Sequence, residues 1–366
     1  MSIQRPKITI NVQDGGLGRT GTVGDGVGGL LLQIAAAPVT HAMGVAKAYS
    51  SYDDLPTELQ IPAMDLYFKT APGQKVWIMP VPNTATVPEM LDASDDDPYA
   101  KDLIEAGQGE IRFISIAAAN LTASLATSIT NAQALAVSFA ATYDPFIVFI
   151  PVQYSAGLAD LTTGSANRAG VFISETGKEA GLLIGRLAST PVQRHIGRIK
   201  DGAMPITEFY IGTALAEDVD TLVTEVVGKG YICLGTIKGK SGYYYETQPL
   251  ATDPSGDFAI IANRRVIDKA ILIAYSTYVN ELKDEIEIAA DGTIAPGVVK
   301  HYQSLIENAV NLQMTANGNI SGAKAYMDAS QNVLSTGKLT VELRILPLAY
   351  AEEIVVNLGF TTNLED

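Results

Sequence analysis

The sequence predicts an α/β protein with a mixed α+β character. A central, mainly parallel sheet flanked by helices leads into a C-terminal α/β domain, and a detached strand-like segment lies at each end of the chain. Three observations predict this. Short apolar runs of strand length alternate with helical patterns through the middle of the chain, which places helices on the faces of a parallel sheet. The C-terminal third carries a clear 3.6-residue apolar period. Finally, Lys7–Val12 alternates apolar and polar residues, and Glu353–Leu358 forms a second short apolar run beyond Pro347.

The bulk numbers agree. A chain of 366 residues with 47% hydrophobic and 18% charged residues can bury a large core. The formal net charge of -15 argues against non-specific binding to nucleic acid or to an anionic membrane, and is also what solubility alone would ask for. Cys233, the single cysteine, sits in the apolar run YICLGTI and reads as a small buried hydrophobe in a reducing compartment. The N-terminus lacks the apolar core of a secretory signal, and no stretch approaches the roughly 20 apolar residues of a membrane helix. The protein is therefore expected to be made and kept in cytosol, without membrane insertion.

Ile8, Ile10 and Val12 are the apolar positions of the first strand. The glycine-rich stretch Gly15–Gly29 follows and reads as a flexible connection, because glycine loses the most backbone entropy on ordering. Fully extended, residues 1–13 would reach about 40 Å. A lone strand leaves its backbone groups unpaired, so this one must join its own sheet or a neighbour's. Val76–Val81, Ile111–Ala117 and Phe146–Pro151 are strands; Thr130–Thr142 and Gly177–Ala188 are helices. Glu217–Val227 is a helix with acidic residues in its first turn, where the dipole favours them. Tyr231–Ile237, a Gly-Lys-Ser-Gly turn and the aromatic strand YYYET come next. Ile260, Ile267, Ile271, Ala274, Tyr278 and Leu282 mark one long helix over Phe258–Lys283, about 39 Å long, with Asp253 and Asp257 placed to cap it. Val298, Tyr302, Leu305, Ala309 and Leu312 mark a second helix, stopped at Asn317-Gly318. Strands near Ala323–Met327 and Leu339–Leu346 complete the domain. In the final run Ile354, Val355 and Val356 supply the apolar face.

The motifs that look chemical lose their context. Gly16, Gly18 and Gly21 spell G-x-G-x-x-G, but more glycines follow where a dinucleotide fold needs a helix N-terminus. Gly235–Ser241 falls one residue short of a phosphate loop and runs into a strand, so it reads as a hairpin turn. Asp92–Asp102 places Leu103 where a calcium loop needs its twelfth-position carboxylate, which leaves an acidic surface loop. His41, His195 and His301 lie far apart without metal-binding spacing, and no G-x-S-x-G elbow occurs. No catalytic residue, cofactor or metal is therefore predicted. Arg264 and Arg265 point about 100° apart on the long helix. They read either as a surface pair or as a bridge to an acidic partner surface.

RAGVFISETGKEAGLLIGRLAS from Arg168, HIGRI from His195, IANRRVIDKAI from Ile261 and GKLTVELRILPLAYAEEIVVNL from Gly337 together resemble the contractile tail sheath family of phages and related injection systems. No single motif is decisive; their order and spacing carry the resemblance. It implies an N-terminal arm over 1–20, a central α/β region over 21–250, a C-terminal sheath core domain over 251–349 and a C-terminal arm over 350–366. It further implies a virion structural subunit, assembled in a bacterial cytoplasm, that polymerises helically in stacked rings around an inner tail tube and contracts to drive the tube through an envelope. Its partners would be itself, the tube protein, and baseplate and tail terminator proteins. Each arm would lend a strand to a neighbour, with Ile8, Ile10, Val12, Ile354, Val355 and Val356 as interface residues and Gly15–Gly29 as a hinge. Two other readings remain at this stage: a tail-tube or other structural protein built on a small β-barrel, and an α/β nucleotide-binding enzyme using a glycine-rich loop.

Overall fold

The computed structural model describes residues 25–36, 38–118, 124–351, 354–356 and 360. Among them, six strands form one sheet: β1 (Gly28–Ile34), β2 (Lys47–Tyr49), β3 (Val76–Pro82), β4 (Phe113–Ala117), β5 (Ile147–Val152) and β6 (Ala169–Ile173). Their order is β2-β3-β1-β4-β5-β6, parallel except for the short edge strand β2. The predicted strands at 76, 111 and 146 are β3, β4 and β5. The expectation of a flexible Gly15–Gly29 segment is corrected at its end, because Gly28 and Gly29 open the strand beside the sheet's midline. Their missing side chains serve packing. A Cβ on Gly28 would come within 2.6 Å of Ile184 and 2.7 Å of the Phe113 ring, and one on Gly29 within 3.0 Å of Leu103. Residues before Asp25, including the predicted strand Lys7–Val12 and most of the glycine run, lie outside the described residues.

Adjacent residues of a strand face opposite sides, so these two contacts also place the helices. Helix α1 (Pro62–Thr70) pairs with α5 (Glu179–Ser189) on the Gly28 face, while α2 (Val87–Leu91), α3 (Tyr99–Ala106) and α4 (Leu125–Ala140) pack together on the Gly29 face. Covering both faces explains the near-continuous apolar strands. Helix α2 starts with a capping box: the Thr86 side chain bonds the backbone at Glu89, and the Thr86 amide donates to Glu89 Oε2 at 2.8 Å. Helix α5 is buried from Glu179 through Ala188; Leu182, Leu183, Ile184 and Leu187 are all fully buried. Each contributes roughly 1.5–3 kcal/mol of burial. Gly181 and Gly185 let α5 lie directly on the α1 backbone: a Cβ on Gly181 would sit 1.7 Å from the Ala63 carbonyl oxygen.

Helix α6 (Asp220–Gly228) covers the next stretch. Ile232 then bridges Phe172 in parallel and extends the sheet edge, and β7 (Leu234–Thr236) turns back into β8 (Tyr243–Tyr245). The Gly235–Ser241 segment is thus a hairpin connection, with Gly239 and Gly242 at positive φ. Helix α7 (Ile261–Tyr278) is shorter than predicted, 18 residues or about 27 Å. Leu282 finds no core and is 69% exposed, and Lys283 turns to a φ of 70°. Asp253 and Asp257 do not cap this helix. Asp253 accepts from the Ser255 amide at 2.8 Å, Asp257 offers only its carbonyl to Asn263, and the N-cap is Ile260 without a side-chain bond. Helix α8 (Pro296–Val310) ends in a single π turn, with Gly318 at a φ of 66°. Strands β9 (Gly322–Tyr326) and β10 (Glu342–Leu346) form a separate antiparallel pair.

Helix α7 belongs to two cores. Ile261 joins the large central cluster; Val266, Ala270 and Ile273 join a second cluster with Ile306, Val310, Met314, Ile320 and Ala325. At the crossing, Arg168 ahead of β6 donates to both oxygens of Asp268, at 3.0 and 2.9 Å, and to the Phe146 carbonyl at 3.2 Å. Arg264 donates to Asp268 Oδ1 through Nη2 at 2.6 Å and through Nε at 3.1 Å. The three side chains are only 6–8% exposed.

Gly181→Val is expected to cost more than about 3 kcal/mol or to prevent folding, since backbone must move to admit it. Gly297→Ala, on the open first turn of α8, is expected to raise stability by about 0.5 kcal/mol. Asp268→Ala strands two buried guanidinium groups and is expected to cost roughly 3–5 kcal/mol. Urea denaturation of the purified variants measures all three.

Candidate assembly interfaces

Of the predicted interface residues, Ile8, Ile10 and Val12 lie outside the described residues. Ile354, Val355 and Val356 lie outside any strand of this chain and are 79, 71 and 68% exposed. Three consecutive aliphatic residues with their side chains in water form an apolar segment in search of a partner.

The root of this segment is held to the body. Tyr350 donates its hydroxyl to the Gln193 carbonyl, and its ring stands edge-on to His195 with centroids 6.0 Å apart. Leu348–Ala351 thereby closes one side of a cleft of about 920 Å³ against the 193–200 loop and Tyr245–Thr247. No sequence signal marks Tyr350 for this role, since the contact spans 157 residues.

Strand β9 lies on α8, and Glu307 from that helix accepts a hydrogen bond from the Ala325 amide at 2.8 Å. That amide therefore faces away from β10. In an antiparallel ladder, bonded and non-bonded pairs alternate, so Ala325↔Leu343 and Ala323↔Ile345 are non-bonded pairs. The main-chain groups of Leu343 and Ile345 then point to the outer edge of β10, where no described strand pairs with them. Leu346, at the end of the strand, is 64% exposed.

Arg264 and Arg265 are not a surface pair. Both are buried, 6% and 5% exposed. Their 100° separation sends them to two different interior sites. Arg264 joins Asp268, and Arg265 donates Nη2 to the carbonyls of Asp25, Leu187 and Thr190 at 3.0–3.2 Å. The i,i+4 spacing of Arg264 and Asp268 was visible in the sequence; the distant partner Arg168 was not.

The candidate chemical groups stay apart. His41 is buried, with Nε2 donating to the Val45 carbonyl and Nδ1 accepting from Tyr49, and burial lowers its pKa. His301 pairs with Glu281 at 3.0 Å on the surface. Burial pushes the Cys233 thiol well above its ordinary range. Asp92 and Asp95 are spent on local turns with Ser94 and Asp97. Among the described residues no group of three or more His, Cys, Asp or Glu side chains converges as a metal site, and no helix is long and apolar enough to cross a membrane.

Comparison with known proteins agrees with this arrangement. The chain superposes over 99% of its length, and 100% of the other chain, on a protein of the contracted helical sheath of the anti-feeding prophage, with a TM-score of 0.63 at 14% identity. A chain of that particle's six-fold symmetrised baseplate structure matches at a TM-score of 0.61 and 14% identity, over 99% of this chain and 100% of that one. The contracted sheath complex of the PVC extracellular contractile injection system matches at 0.62 and 10% identity, covering 100% and 99%. The fold is thus that of contractile sheath proteins. No curated protein matches by sequence. The N-terminal domain of the DUF2586 family matches residues 5–248 and its C-terminal domain matches residues 257–365, so the chain belongs to the DUF2586 family.

Proposed function

We propose that this chain is the subunit of a contractile sheath. It polymerises as a helical array of stacked rings around an inner tube and contracts to drive that tube through a target envelope. The observation that carries this reading is the end-to-end correspondence with sheath chains in the contracted state, which leaves no part of either chain without a counterpart beyond about one residue in a hundred.

The interfaces support the same reading. The exposed segment Ile354–Val356 supplies a strand, and the outer edge of β10 supplies main-chain groups at Leu343 and Ile345 to receive one. A strand passed from each copy to the next is a heterologous contact, which propagates into a helix rather than closing a dimer. The N-terminal residues Ile8, Ile10 and Val12 play the equivalent part at the other end, with the glycines upstream of β1 as the hinge. Contraction trades one set of body contacts for another without consuming a nucleotide. About 1–3 kcal/mol per subunit, a common size for coupled transitions, sums over the array. The tube, the baseplate and a terminator are the remaining partners of such a particle, and no catalytic role is assigned.

The tube reading loses its support, and the enzyme reading loses one of its two glycine-rich loops. A tube-type β-barrel is not compatible with helices on both faces of an open parallel sheet. The second glycine-rich loop is a hairpin, without the helix a phosphate site requires.

A chain ending at Ala349 is expected to keep its melting temperature within a few degrees and to lose polymerisation. Negative-stain microscopy of the full-length protein, alone or co-expressed with its tube partner, should show hollow striated tubes that the truncated chain does not form. Normal tubes from the truncated chain would remove strand exchange at this end; a full-length protein that stays in small particles even with its tube would remove the sheath reading.

A further inference from the structure

The joint between the two halves of the molecule holds more positive charge than the contacts around it neutralise. Arg112, Arg168, Arg264, Arg265 and Lys269 meet there, and the carboxylates they face are Asp25, Asp144 and Asp268. Among the described residues, five cations against three carboxylates leave an excess of two, within groups whose side chains are mostly under a quarter exposed. The chain as a whole carries a formal net charge of -15, so this excess is local and opposite to the average. Burying unbalanced charge is costly.

Among the described residues, three donors in this region also find no acceptor. Arg265 uses only Nη2, on three carbonyls, and its Nε and Nη1 have no acceptor. Arg112 spends Nη1 on Asp144 and on the Ile111 and Pro145 carbonyls and Nη2 on Gly109, and its Nε has no acceptor. Arg265 is 5% exposed, and its face is only partly offset by the Phe113 ring, 5.5 Å away. Burial lowers its pKa to about 10, so the group remains cationic at neutral pH. Arg112 and Arg265 line one small cavity of about 20 Å³ together with Asp25, Pro145, Val192, Asp268, Lys269 and Leu272; Asp268 is already held by Arg168 and Arg264, and Asp25 by Lys269.

We propose that this cavity is a halide site, holding one chloride ion between the unpaired N–H groups of Arg112 and Arg265. A water molecule fits a space of this size, but it accepts two hydrogen bonds and cancels no charge. Chloride accepts from all three donors and removes one unit of the excess. Phosphate or sulfate is too large. The same cations hold the start of the described chain: Arg265 binds the Asp25 carbonyl, and Lys269 binds the Asp25 carboxylate at 2.6 Å. The ion therefore reinforces the point where the N-terminal segment leaves the body. This site does not depend on the sheath reading.

The test compares thermal unfolding of the full chain in sodium chloride and in sodium gluconate at equal ionic strength. Gluconate cannot enter a cavity this small. The wild type is expected to melt about 1–3 °C higher in chloride, as for a weak ligand of a protein this size, and Arg112→Leu to abolish the difference. If that variant does not fold, crystals of the wild type grown in bromide decide: an anomalous peak within hydrogen-bond reach of Arg112 Nε and Arg265 is expected. Equal melting in the two salts, or a map with water and no anomalous signal at this position, overturns the proposal.

Discussion

Asp268 sits where the two halves of the protein meet, and the rest of the architecture depends on how it is satisfied. A carboxylate taken out of water must be compensated by well-placed donors, and two guanidinium groups do this, Arg168 from the edge of the central sheet and Arg264 from its own helix. The bidentate geometry of Arg168 fixes direction as well as distance. Helix α7 can then enter the central core with Ile261 and, one to four turns later, build a different core with Val266, Ala270 and Ile273. One helix shared by two cores resists bending at the boundary.

Around this joint, packing is tight where backbones must approach and open at the C-terminal strand pair. Helix α5 lies directly on α1 because Gly181 and Gly185 present no side chain, and β1 fits beneath α5 because Gly28 presents none. The C-terminal pair β9–β10 is the opposite case. Two strands alone are marginal; here β9 is held by α8 and by the Glu307 carboxylate, and the outer edge of β10 has no described strand beside it. The exposed Ile354–Val356 segment and that edge are complementary needs, one for burial and pairing, the other for hydrogen-bond partners.

The elements that the sequence made legible are those whose pattern is local. The apolar runs at β3, β4 and β5, the periodic helices α7 and α8, and the hairpin at Gly235–Ser241 follow from neighbouring residues alone. Strand β1 escaped because glycine is read as freedom when only the backbone is considered, whereas here it records close contact with Ile184 and Leu103. The arginine pair was misplaced for a related reason. Charge and spacing put Arg264 and Arg265 on different faces of a helix, but whether those faces meet water or protein depends on Arg168, Asp25, Leu187 and Thr190, which lie 75–240 residues away in sequence or more than a helix length apart.

The sequence by itself determined the fold class, the order of most helices and strands, the lack of context around each chemical-looking motif, and the presence of an apolar segment beyond Pro347. These depend on composition and short-range periodicity, which the chain carries before it folds. Tertiary structure decided which glycines are ordered, how the two arginines are used, where Tyr350 holds the root of the C-terminal segment, and which edge of β10 stays open. Each of these is a contact between residues remote in sequence, and such contacts exist only once the sheet, its helices and the joint at Asp268 have brought the parts together.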